Sequence, residues 1–211
     1  PEIQISPLEY NGTTYQRITL SGFGGTREVG KPEVPQSIQL IAISPQGSFE
    51  INILSTIVEE LPDYLIYPAQ PSPQRAPDGT IASLPFIIDT DFYQNDTWYP
   101  SQPAMAQETA ILREYRVLPI AIYPVQYNPA RRIIRIIKEM EIEIHQVSSH
   151  GINEKINFER YESIRYRNIY DTFILNYRQC IELTPGINGM PDMIIITHDQ
   201  FYNQVLPFAA W

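Results

Sequence analysis

The sequence predicts a mainly β chain: an antiparallel β-sandwich, then a helical connector, then the opening strand and helix of an α/β domain. Three observations carry this. Apolar and polar residues alternate with period 2 in Phe49-Glu50-Ile51-Asn52-Ile53 and again in Met140-Glu141-Ile142-Glu143-Ile144. Nineteen prolines in 211 residues, against a usual share of about 5%, suit a protein of turns and sheet edges. After residue 148 the period changes, and Ile164, Ile169, Tyr170, Phe173, Ile174 and Tyr177 recur at roughly helical spacing. Domains are accordingly expected at 1–150, 151–191 and 192–211.

Residues 3–20 read as a hairpin about Asn11-Gly12, a strong two-residue turn signal. A loop rich in Gly and Pro precedes a strand over 37–43, and Ser44-Pro45-Gln46-Gly47 turns the chain into the alternating strand of Phe49, Ile51 and Ile53. A long Pro-rich loop over 62–79, a short apolar strand over 84–88 and an irregular acidic and aromatic loop over 89–103 follow. Two long strands, 107–123 and 133–147, are expected to pair with each other. Pro124 and Pro129 cannot donate to a ladder, so 124–131 reads as their hairpin connection. On the second strand Met140, Ile142 and Ile144 share one face, and Glu139, Glu141, Glu143 and His145 the other.

A short amphipathic helix is expected after residue 164, and 184–191 reads as a breaker-rich linker. Met193-Ile194-Ile195-Ile196 is apolar without alternation, the mark of a strand buried on both faces. Thr197-His198-Asp199 offers helix N-caps, and Phe201, Val205 and Phe208 have helical spacing. Such a strand needs cover on both faces, so 192–211 is expected to be held by a further polypeptide.

The net charge of -9 argues against a nucleic-acid surface and against binding to anionic lipid. The single cysteine, Cys180, excludes an internal disulfide. The three histidines, His145, His150 and His198, are scattered and form no HExxH, so no zinc site is expected. No apolar run reaches transmembrane length, and nothing in the pattern calls for a cofactor.

Several single residues have a plainer role beside a chemical one. Cys180 has no histidine near it in sequence and reads as a partly buried structural thiol rather than a nucleophile. Asp89, Asp91 and Asp96 lack the spacing of a calcium loop and read as solvated. The carboxylates Glu139, Glu141 and Glu143 read as a solvated strand face rather than a glycosidase pair. Phe92, Tyr93, Trp98 and Tyr99 can stack on sugars, or pack their loop onto the sandwich. Asn11-Gly12-Thr13 and Asn95-Asp96-Thr97 match the glycosylation sequon, a short pattern that chance supplies readily.

Three stretches carry a family likeness. They are Gly30-Lys31-Pro32-Glu33-Val34-Pro35, Tyr123-Pro124-Val125-Gln126-Tyr127-Asn128-Pro129, and the run from Asp192 through Phe201 to Trp211. Ile174-Leu175-Asn176-Tyr177 adds a junction between the last two. In this order they resemble the N-terminal region of gingipain-like cysteine peptidase precursors, peptidase family C25. The resemblance implies a β-sandwich pro-domain that chaperones and inhibits a secreted or cell-surface peptidase. Its partner is then its own caspase-like catalytic domain, of which 192–211 would be the first strand and helix. The family's catalytic His and Cys lie downstream of the matched segment, so no residue here is assigned a catalytic role.

A pro-domain must occupy a cleft without being productively cut, which pre-extended Pro-rich segments suit. Arg75 is one candidate for entry into the cleft. The loop over 91–103, with Asp91, Trp98 and Tyr99, is the other. Activating cleavage is expected between 148 and 192, with Arg178 as a trypsin-like site. The alternative reading is a carbohydrate-binding or adhesion module of a cell-surface protein.

Overall fold

The computed structural model describes residues 2–73, 79, 84–155, 166–182 and 198–209. The strands are β1 (Ile3–Tyr10), β2 (Thr13–Leu20), β3 (Gly24–Gly25), β4 (Pro35–Ala42), β5 (Ser48–Leu61), β6 (Ala104–Ala106), β7 (Ala110–Leu112), β8 (Tyr115–Ile122), β9 (Val125–Asn128) and β10 (Ile133–Ser148). The helices are α1 (Arg167–Phe173), α2 (Tyr177–Glu182) and α3 (Tyr202–Ala209). The mainly β, antiparallel class is therefore as the alternation predicted.

The expected first hairpin is present, with Ile3 opposite Leu20 and Tyr10 opposite Thr13. Asn11 and Gly12 have φ of 47° and 75°, the paired positive angles that a tight hairpin turn demands. The other strands form two sheets, ordered β5-β10-β9 and β3-β4-β8-β6, with β7 also on β8. They face each other across an apolar layer. Leu118, Ile120 and Ala104 of one sheet meet Phe49, Ile51, Ile53, Met140, Ile142 and Ile144 of the other. Further along, Val125, Tyr127, Ile134 and Ile136 bury Ile18, Val34, Ile66 and Tyr99.

The five-stranded sheet is covered on its outer face as well. Ala42, Tyr115 and Val117 pack against Tyr170, Ile174 and Tyr177 of the connector. Successive residues of β8 thus point into two different cores. That is why its sequence shows no alternation.

Four expectations need correction. The segment 107–123 is not one strand: Arg113, at φ 53°, turns it into the β7–β8 hairpin. Nor does it pair with 133–147. β8 pairs with β4, β6 and β7, whereas β10 pairs with β5 and β9. Pro124 ends the β8 ladder, and the chain then crosses to the opposite sheet. Four residues remain before Pro129, enough for β9, with Ile133 opposite Asn128 and Ile136 opposite Val125. The turn proper is tighter: Asn128 Oδ1 accepts from Arg131 N at 3.1 Å, and Arg132 has φ 56°. Lastly, 84–88 forms no strand. The side-chain amide of Gln70 takes up the backbone of Ile87, donating to its carbonyl at 2.8 Å and accepting from its N–H at 2.9 Å.

The expected connector helix is present in two pieces. Between α1 and α2 the backbone extends at Ile174 and makes one parallel bridge to Leu40. Leu175 N donates to Leu40 O at 2.9 Å, so the connector is laced to the free side of β4. The strand expected at 193–196 lies outside the described residues.

Candidate docking surface

The loop over 89–103 is built from the sandwich outward. Asp89 Oδ1 accepts from Phe92 N at 2.9 Å and starts a 3-10 turn, Phe92–Gln94. Asp89 N donates to Gly30 O at 3.0 Å. Gly30 itself has φ +86°, and a Cβ there would lie 3.1 Å from Asp89 N, so only glycine sits easily. Tyr93 donates from its hydroxyl to Ile66 O at 2.6 Å. Tyr99 and Tyr127 exchange backbone hydrogen bonds of 2.8 and 2.7 Å. Gln126 Nε2 donates to Pro100 O at 2.8 Å, and Asn128 Nδ2 to Asp96 Oδ1 at 2.7 Å. The stretch from Tyr123 to Asn128 is thus the spine onto which this loop is sewn.

Charges finish the fastening. Arg131 makes a two-point ion pair to Asp96, with Nε–Oδ1 of 2.8 Å and Nη2–Oδ2 of 3.0 Å. Those bonds hold the Asp96 carboxyl below the usual carboxylate range. The Arg135 guanidinium lies 3.7 Å over the Trp98 ring and pairs with Glu60 at 2.7 Å.

Beside this loop lies an open groove of about 600 Å³. Glu28 and Lys31 line one side, and Phe92, Trp98 and Tyr99 the other. Glu28 accepts from Tyr99 Oη at 3.2 Å and from Lys31 Nζ at 2.5 Å. The Lys31 ammonium sits 5.2 Å from the Phe92 ring centre and 5.8 Å from that of Tyr99. Burial, with the Glu28 charge behind it, pushes the Tyr99 and Tyr123 hydroxyls up, so both stay protonated as donors. The arrangement can present a shaped, polar and aromatic surface.

The residues singled out in the sequence fall as follows. Asp91 is exposed at the start of the 3-10 turn. Trp98 is half-buried beneath Arg135, and Tyr99 belongs to the core. The aromatic rings thus pack the loop onto the sandwich and also form a wall of the groove. Arg75 lies outside the described residues. Arg178 is on α2, 84% exposed in its side chain, with Nε and Nη2 on the two oxygens of Asp171 at 2.8 and 3.1 Å. Cys180 is partly buried against the connector core. Glu139, Glu141 and Glu143 lie on an exposed strand face, as expected. No cluster of metal-ligating side chains occurs among the described residues. Sequence reasoning missed the groove wall at Glu28 and Lys31. Its one local signal was an acid and a base three residues apart beside a glycine.

Comparison with known proteins gives one answer throughout. The profile of the family Propeptide_C25 matches residues 2–172. Lys-gingipain of Porphyromonas gingivalis is 23% identical over 223 residues, covering all of this chain and 12% of that protein. Gingipain R2 of the same species is 25% identical over 187 residues, covering 87% of this chain and 25% of that protein. The chain therefore spans a small part of the relatives it matches. In fold it resembles a chain of the structure called "Complex of Porphyromonas gingivalis RgpB pro- and mature domains". The TM-score is 0.71 at 23% identity, covering 84% of this chain and 87% of that one. A structure of gingipain K described under zymogenic latency matches with a TM-score of 0.56 at 22% identity, covering 68% of this chain and 81% of that one. The chain belongs to the C25 propeptide family and is a gingipain-like propeptide.

Proposed function

We propose that this chain keeps an attached cysteine peptidase latent and assists its folding, acting by surface complementarity rather than by chemistry, in a secreted or cell-surface precursor. The observation that carries this reading is the fastening of the loop over 89–103. Its hydrogen bonds to Ile66, Tyr127, Gln126 and Asn128 fix a preformed surface beside the groove. A surface ordered in advance loses little entropy on docking. The fold likeness to a chain of a pro- and mature-domain complex supports the same partner, the peptidase's own catalytic domain.

Within the loop, Trp98 and Tyr99 act as the mount. The exposed positions Asp91 and Gln94 to Thr97 are the part that can reach into a cleft. Arg75 is the second candidate for that role. The connector travels with the sandwich, because α1 and α2 share its outer core.

The test is inhibition in trans. Added to its mature cognate peptidase, the 211-residue chain is expected to inhibit at sub-micromolar concentration, a binding free energy of about -8 kcal/mol or better. Calorimetry that detects no binding defeats the reading.

A further inference from the structure

The connector is apolar on two sides. One side, Tyr170, Ile174 and Tyr177, is buried against the outer face of the five-stranded sheet. The other carries Ile169, Phe173 and Leu175, whose exposures are 43%, 59% and 72%. Ile169 and Phe173 are four residues apart on α1 and so lie on one face. Leu175 follows in the extended link. A short helix with apolar side chains on two sides can pack between two layers, and among the described residues one layer lies against it.

We propose that this patch is a seat for the catalytic domain in the precursor. The proposal rests on the latency reading above and names a surface that the loop and groove do not include. Three observations support it. First, the patch is mounted stiffly. Arg113 lies 3.9 Å over the Tyr166 ring, the Tyr170 hydroxyl donates to Glu114, and Asn176 bonds Ala42 twice. Apolar side chains held this firmly in water gain nothing unless a partner covers them.

Second, the patch lies where the propeptide family's match ends, at residue 172. Shortly beyond α2 comes the run over 192–211, which resembles the opening of a peptidase domain. The next domain in line therefore starts close to the patch along the chain. Third, the rim is electrically balanced. Asp171 and Arg178 satisfy each other through two hydrogen bonds. This pair adds no net charge beside the patch.

The experiment uses the whole chain and the mature cognate peptidase. The double variant Phe173→Ser with Leu175→Ser is compared with the unaltered chain, and with Ile57→Ser, which alters a side chain 57% exposed on β5. The double variant is expected to keep its Tm and to weaken inhibition at least tenfold, with Ile57→Ser unchanged. Equal inhibition by the double variant overturns the proposal. So does a marked fall in its Tm, which shows that the side chains are packed within the chain itself. A dimer of the unaltered chain that the double variant dissolves overturns it in favour of a second copy. An unaltered chain that leaves the peptidase fully active defeats the latency reading first, before any variant is compared, and this proposal with it.

Discussion

The side-chain amide of Asn176 closes on the backbone of Ala42 from both directions, its Oδ1 accepting from the N–H at 2.8 Å and its Nδ2 donating to the carbonyl at 2.9 Å. One side chain thereby imitates a strand residue and continues the bridge between Ile174 and Leu40. Asn176→Ala removes two bonds and leaves both Ala42 groups without this partner. Each neutral bond is worth about 1 kcal/mol net, and more where a group is left unsatisfied. The expected loss is about 1–3 kcal/mol, concentrated in the connector. Hydrogen exchange at Ala42 and trypsin cleavage at Arg178 should both speed up. Unchanged rates at both would show that the amide does not hold the connector.

Arg116 is the second fixed point. It is 2% exposed, and its guanidinium donates to Ser44 O at 3.0 Å, Gly47 O at 2.8 Å and Ile152 O at 2.7 Å. Glu154 completes the knot by accepting from Gly47 N and Gly151 N at 3.1 and 2.8 Å. Arg116→Met leaves the buried Gly47 carbonyl unpaired, at about 1–3 kcal/mol before relaxation, and removes the part-buried bonds to Ser44 and Ile152 and the packing of a large buried side chain. The expected cost is about 3 kcal/mol or more in urea unfolding. Arg116→Lys should recover little, because a point charge cannot span acceptors that a planar fork reaches together.

This knot bears on where the precursor is cut. The polar composition of the stretch after residue 148 marks it as loosely held backbone. Yet Lys155 N donates to Pro45 O at 2.9 Å and Asn153 Nδ2 to Thr109 O at 2.6 Å. Limited proteolysis is therefore expected to spare 151–155 and to cut further along. A first cut inside 107–147 would contradict the domain map itself.

What the sequence disclosed depended on how far each choice reached along the chain. The Asn11-Gly12 hairpin is local, and it was legible in full. So was the division of β10 into an apolar face of Met140, Ile142 and Ile144 and an acidic face, because one sheet face is buried and the other wet. The partner of β8 was not legible. Alternation says which face is buried but not which strand lies alongside, and β8 is buried on both faces. The 84–88 strand failed because the side chain of Gln70 satisfied Ile87 in place of a ladder. At the candidate surface, Asp91, Trp98 and Tyr99 could be found in one loop. Glu28 reaches Tyr99 from another loop, and no periodicity announces such a meeting.

Acid should loosen the molecule at defined points. The carboxyls of Asp96, Asp171 and Glu154 are all held below their usual range, by Arg131 and Asn128, by Arg178, and by two backbone N–H groups respectively. A carboxyl depressed on folding contributes stability that is present above its unfolded value, near pH 4. That contribution is lost as pH falls through the depressed folded value. Tm is therefore expected to decline below about pH 4. Asp96→Asn should flatten part of that decline. An acid slope identical to that of the unaltered chain would remove Asp96 from the account.

The last prediction separates mount from probe in the loop over 89–103. Tyr99 is 8% exposed and packs edge-on against Phe92, with ring centres 5.3 Å apart. Tyr99→Ala empties a core site, and truncations of this size cost about 3–5 kcal/mol. Stability and inhibition should fall together. Asp91 is exposed, and its side chain makes no capping bond to the 3-10 turn that follows it. Asp91→Ala is therefore expected to leave the urea midpoint unchanged. If the exposed tip enters the cleft, that same variant weakens inhibition of the cognate peptidase by tenfold or more. An Asp91→Ala chain that inhibits as well as the unaltered one clears the residue of the role and leaves Arg75 as the candidate to test next.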